Sequence, residues 1–227
     1  MSKRTKIAQC VYCGEIRDTT RDHVISSNLF PNSYEKKNVI IAPSCLKCNK
    51  GYSLDEEYFR IFVCGAGLEH SQQAVDLFFS KVKRCIQRKP HIISDMYKRM
   101  DLVDLYTEGG IFIDKRTRII ISDKDWERYC NVLNKYIRGL FFHEFRRMLP
   151  IDYKIHHSWV DPRELQKLDY TPFMSWNLDN QEIFIYGYAY VPDTDYSVWV
   201  TAFYKSNIFL SHTGTEELFG LFTKSKR

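Results

Sequence analysis

The chain has 227 residues, of which 44% are apolar and 15% aromatic, a composition that can bury a core and excludes a protein disordered throughout. Its longest aromatic-apolar run, Ile183 to Val191, is nine residues, well short of the roughly 20 that a helix needs to cross a bilayer. The formal charge of +5 is confined to residues 1–53, with nine Lys/Arg against four Asp/Glu, whereas the remaining 24 of each cancel and leave that part poorly suited to hold DNA by itself.

The basic opening, Met1 to Lys6, passes into Cys10 and Cys13 without the apolar stretch of an export signal. A cytoplasmic address with reduced cysteines is therefore expected. Cys10-x-x-Cys13 and Cys45-x-x-Cys48 form two matching hooks. Each hook can wrap two thiolates around one ion, and two hooks complete the tetrahedral shell that zinc favours in closed, structural sites. The 31 residues between them exceed the spacing of a plain zinc ribbon.

Ser53-Leu54-Asp55-Glu56 has the form of a capping box and predicts a helix to about Cys64, before Gly65 and Gly67. The acids of that first turn, Asp55, Glu56 and Glu57, are read as serving the helix dipole. Helical spacing of Val75, Phe78, Phe79, Val82, Cys85 and Ile86 predicts a second helix over residues 69–88, ended by Lys89-Pro90. Strands are expected over residues 102–106 and 117–121. The clearest helix follows, its stripe running Trp126, Tyr129, Cys130, Leu133, Tyr136, Ile137, Leu140 and Phe141, with Pro150 closing it. From Lys154 onward the pattern is β, with runs near 183–191, 198–204 and 208–212 and a turn at Pro192 to Asp195. The aromatics between Tyr170 and Phe209 read as sheet core in preference to a base-stacking surface. His143-Glu144 lacks the second histidine of a zinc-protease motif.

Between the hooks lie Asp22-His23 and Asn38-Val39-Ile40-Ile41, and Asn49 follows the second hook. In this set the sequence resembles the HNH endonuclease family, on Cys10, Cys13, Asp22, His23, Asn38, Cys45, Cys48 and Asn49 and over residues 10–60 only. The helix and strand patterns make the chain α+β, with a helical and antiparallel-sheet domain (61–227) expected to select the target or to engage a protein partner, an activating ligand or a second copy of the chain; the resemblance implies an N-terminal zinc-bound ββα-metal module (1–60). It implies hydrolysis of DNA phosphodiesters, with RNA left open. The biology it implies is that of phages, mobile elements or anti-phage defence.

In that reading His23 is the general base, since imidazole titrates near neutral pH. Asp22 and Asn49 offer oxygen to a catalytic Mg²⁺ or Mn²⁺ ion, and Asn38 braces the hairpin and orients His23. Arg17, Arg21, Lys47 and Lys50 hold flanking phosphates. Adjacent residues of a strand face opposite ways, so a local distortion at Asp22-His23 is expected. The chain departs from the family in carrying Asn49 for the final histidine and Tyr52 where a lysine is frequent, and Asn28 and Asn32 rival Asn38. A non-catalytic zinc module that binds nucleic acid or protein is the alternative.

Overall fold

The computed structural model describes residues 6–161, 175–180 and 182–215. Residues 170–174 of the aromatic stretch lie outside them. Strands β1 (Lys6–Gln9), β2 (Ile16–His23) and β3 (Ile41–Cys45) form one antiparallel sheet, in which Thr19 pairs with Cys45 and His23 with Ile41. Helix α1 (Leu46–Gly51) starts inside the second hook, where Cys45 is its N-cap and the sulfur accepts from the Cys48 N–H at 3.5 Å. Helix α2 (Ser53–Gly67) follows after Tyr52 and runs on through Gly65, three residues past the expected end at Cys64.

The expected capping box is absent. The Ser53 hydroxyl donates instead to the Lys50 carbonyl at 2.8 Å, and Glu56 is buried. Asp55 and Glu57 also have tertiary partners, Arg128 and Lys89, each at 2.8 Å, so the first-turn acids dock α2 besides facing its dipole.

The predicted second helix is realised as α3 (Gln72–Leu77) and α4 (Lys83–Arg88), joined by a π-helical turn at Phe78–Val82. A short helix that periodicity did not mark, α5 (His91–Tyr97), precedes a hairpin of β4 (Met100–Tyr106) and β5 (Phe112–Ile119). Helix α6 (Asp123–Phe145) carries a true capping box between Ser122 and Asp125. Burial alone would raise the Asp125 carboxyl; hydrogen bonds from Tyr58, Arg99 and Ser122 more than reverse this and hold it at about 2. The Tyr58 bond, 2.5 Å long, ties α2 to the start of α6.

Strands β6 (Lys154–Val160), β7 (Ser175–Asn180), β8 (Phe184–Tyr190), β9 (Ser197–Phe203) and β10 (Asn207–Gly214) complete the chain as an antiparallel sheet of order β6-β10-β9-β8-β7. Phe59 of α2 meets Phe203 of that sheet at 5.1 Å and Tyr136 of α6 at 6.0 Å between ring centroids. The same core takes in Cys10, Val11, Val24 and Leu29 of the N-terminal part. The boundary expected at residue 60 thus falls inside α2, and the cysteine hooks are set into the main core. Gly139 shows how close the docking is. A Cβ there would stand 2.5 Å from the Val24 side chain, so only glycine lets α6 pass the loop after β2.

Candidate metal centre and the adjoining cleft

The four sulfurs of Cys10, Cys13, Cys45 and Cys48 all lie within 4.8 Å of one another, and those of Cys13 and Cys45 are 4.0 Å apart. Sulfurs about 2.3 Å from a central zinc ion stand roughly 3.8 Å apart at tetrahedral corners, so this donor set fits zinc. Backbone geometry prepares the site. Gly14, at φ +75°, closes the first hook by donating to the Cys10 carbonyl at 2.8 Å. The Cys45 N–H points at the Cys10 sulfur at 3.4 Å, an arrangement that favours thiolate over thiol. No fifth donor is needed, and a closed shell of this kind holds chain segments together.

The second set of expected metal ligands is arranged differently. Strand β2 pairs regularly with β3 from Thr19 to His23, without the distortion expected at Asp22-His23. Asp22 and His23 consequently point to opposite faces. The Asp22 carboxylate is buried and lies 3.0 Å from the ammonium of Lys135 on α6, itself 2% exposed. That ammonium also donates to Glu56 at 2.6 Å and to the His23 carbonyl at 3.4 Å, and Ser26 donates to the other Glu56 oxygen at 3.1 Å. Asn49 does reach β2, but through its amide nitrogen, which donates to the Thr20 hydroxyl at 3.3 Å. Asp22 and Asn49 therefore do not fit a divalent-ion site as they stand: the carboxylate is buried beside the Lys135 ammonium, and the Asn49 amide nitrogen is turned to Thr20.

His23 faces the other way, into a small cleft that it shares with Ser27, Phe30, Lys36, Asn38 and Tyr186. Asn38 is exposed, at φ 43° in the left-handed region, three residues before β3 starts. Among the described residues its side chain has no recorded hydrogen bond to His23 or the hairpin, so the bracing role expected for it is not seen; what the structure does place together is His23 and Asn38 at one opening. Burial pulls the His23 pKa below the ordinary imidazole value, and the positive charge of Lys36 adds to this, against a smaller opposing pull from Asp22. At neutral pH the ring is thus uncharged and able to accept a proton.

Comparison with known protein families, curated proteins and solved structures gives no match. The functional reading rests on this chain's own residues.

Since Lys36 helps to keep His23 neutral, Lys36→Ala is expected to move the His23 titration to higher pH. An NMR titration of the ring protons checks this, and an unmoved midpoint contradicts the assignment of Lys36 as its neighbour.

Of the four expected phosphate-holding residues, Arg21 is exposed on the same face of β2 as His23, and Arg17 is paired with Glu15. Lys47 and Lys50 are exposed on α1, beside the sulfur cluster. A denser set of cations, which summed charge concealed, lies elsewhere: residues 81–89 hold Lys81, Lys83, Arg84, Arg88 and Lys89 with no acid among them. That uninterrupted run was the signal available in the sequence.

Proposed function

We propose that the chain is an endonuclease of the HNH type that hydrolyses phosphodiester bonds in nucleic acid, with His23 as its general base and a zinc ion in the four-sulfur site as a structural clamp. The observation that carries the reading is the position of His23. It ends the first strand of a hairpin-then-helix unit whose two ends are pinned by the cysteine hooks, and its neutral imidazole opens to a cleft that also holds a lysine. In this role His23 takes a proton from water as the water oxygen bonds to phosphorus. The bond to the leaving sugar oxygen breaks, and that oxygen is protonated from solvent. The Lys36 ammonium offsets the charge that gathers on the non-bridging oxygens. Asp22 is assigned no part in these steps, because Lys135 holds its carboxylate.

General-base assistance is worth about 10²–10⁴-fold. His23→Ala is accordingly expected to slow nicking of plasmid DNA by at least about 100-fold, with thermal stability and zinc content unchanged. Cleavage at the parental rate in that variant would remove His23 from the mechanism.

One observation favours a second reading, a non-catalytic zinc-held module that binds nucleic acid. An Asp22 engaged by a buried lysine is what a chain without a catalytic ion would be free to carry. That reading expects no cleavage by the parent chain with Mg²⁺, Mn²⁺ or no added ion.

A further inference from the structure

On the far side of the loop that follows His23 is a second cleft of about 410 Å³, lined by Arg60, Lys81, Arg84, Arg88 and Lys89 against the single carboxylate of Glu57. That carboxylate is spent. Its oxygens take the Lys89 ammonium at 2.8 Å and the Cys85 thiol at 3.1 Å. Arg60 is 9% exposed; its Nε meets no acceptor, and its nearest contact with Glu57 is 3.9 Å. A buried guanidinium N–H without an acceptor is costly, and an anion in the cleft would supply one. Arg84 and Arg88 are exposed, and among the described residues neither has a recorded acidic partner.

The π turn at Phe78–Val82 leads directly into this surface. It makes room in the helical ladder, with Ser80 donating to the Asp76 carbonyl at 2.6 Å, and from Lys81 within it Arg84 and Arg88 follow at spacings of three and four residues. From Lys81 to Arg88 the run covers about 10 Å at 1.5 Å per residue, the length of about three phosphates of one strand at 3.4 Å of axis each. A single phosphorylated small molecule would not use its full length.

The cleft is tied to the His23 opening by hydrogen bonds from one of its lysines. The Lys81 ammonium donates to the carbonyls of Phe30 at 2.6 Å and Ser27 at 3.4 Å, and both residues also line the His23 cleft. We propose that the cleft formed by Arg60, Lys81, Arg84 and Arg88 binds the phosphate backbone of a polynucleotide, and that the loop over residues 27–36 leads the strand from there to His23. The choice of a polynucleotide as the occupant rests on the nuclease reading; the call for an anion rests on the cleft alone.

The test is binding of fluorescently labelled oligonucleotides, single-stranded DNA, duplex DNA and RNA in separate arms, to the full chain carrying His23→Ala so that nothing is cut. With Arg84→Glu and Arg88→Glu added, affinity at low salt is expected to fall roughly tenfold or more, and the slope of log affinity against log salt to shrink by about two, one per lost phosphate contact. Arg17→Glu with Lys47→Glu is expected to weaken binding less. Unchanged affinity and salt slope in the Arg84/Arg88 variant, its melting temperature being parental, would overturn the proposal. So would binding of inorganic phosphate or a mononucleotide with no measurable binding of any oligonucleotide. The two readings fail separately: loss of binding in this variant beside a parent chain that cuts no substrate sustains the cleft and sinks the nuclease, and cleavage by a parent whose binding ignores Arg84 and Arg88 does the reverse.

Discussion

Lys135→Met is expected to destabilise the protein by about 3–5 kcal/mol, the cost of removing one partner from a buried ion pair. The ammonium is 2% exposed and sits between Asp22, 8% exposed, and Glu56, 7% exposed. Without it two carboxylates are left facing each other in a region of low dielectric with no counter-charge between them. Adding Glu56→Gln to the variant should recover part of the loss, since it removes one of the two competing charges. Urea unfolding measures both effects, and a Lys135→Met protein as stable as the parent would show that the ammonium is not needed to hold the two acids. The network joins β2, α2 and α6 through one atom, so the same measurement weighs how firmly the hairpin bearing His23 is attached to the rest of the fold.

The architecture was legible wherever one period dominated. The stripe from Trp126 to Phe141 foretold α6 because α6 buries one continuous face, and the three late β runs foretold β8, β9 and β10 of the five-stranded sheet because those strands are rich in β-branched and aromatic residues. The sulfur site was legible because two-residue spacing is a local property that survives whatever the intervening loop does. Other features depended on distant partners. Glu56 has the spacing of a capping residue, and only the arrival of Lys135 from 79 positions away makes it a core charge instead. Lys135 itself interrupts an otherwise apolar helix face, and periodicity alone does not say which acids await it. Asp22 and His23 read as a pair in sequence, yet regular pairing with β3 sends them to opposite faces. The basic cleft was partly readable as an acid-free run at 81–89, but Arg60, the most deeply buried of its cations, comes from α2 and joins the others only through the fold.

Cys45→Ser is expected to produce the largest change of all, with loss of one zinc ion per chain and of ordered structure over residues 6–51. Binding of structural zinc contributes apparent free energies of about 10–16 kcal/mol in small zinc-finger peptides, comparable with the whole stability of a domain. Cys45 is central to the site. It is 2% exposed, pairs with Thr19 across the sheet, caps α1, and holds its sulfur 4.0 Å from that of Cys13. The segment between the hooks is a short knuckle, but it does not stand alone. In the fold, Val24 packs over Gly139 of α6, and Tyr204 donates to the Leu29 carbonyl, so the knuckle also covers apolar surface belonging to the larger part. Losing the ion should therefore lower the melting temperature of the entire chain, besides stripping hydrogen-exchange protection from β1–β3. A chelator should do the same to the parent protein, and added zinc should reverse it only there. If Cys45→Ser retained its zinc, or lost it with no fall in melting temperature, the clamp would have to be sought in the buried side-chain contacts of Val24, Leu29 and Lys135.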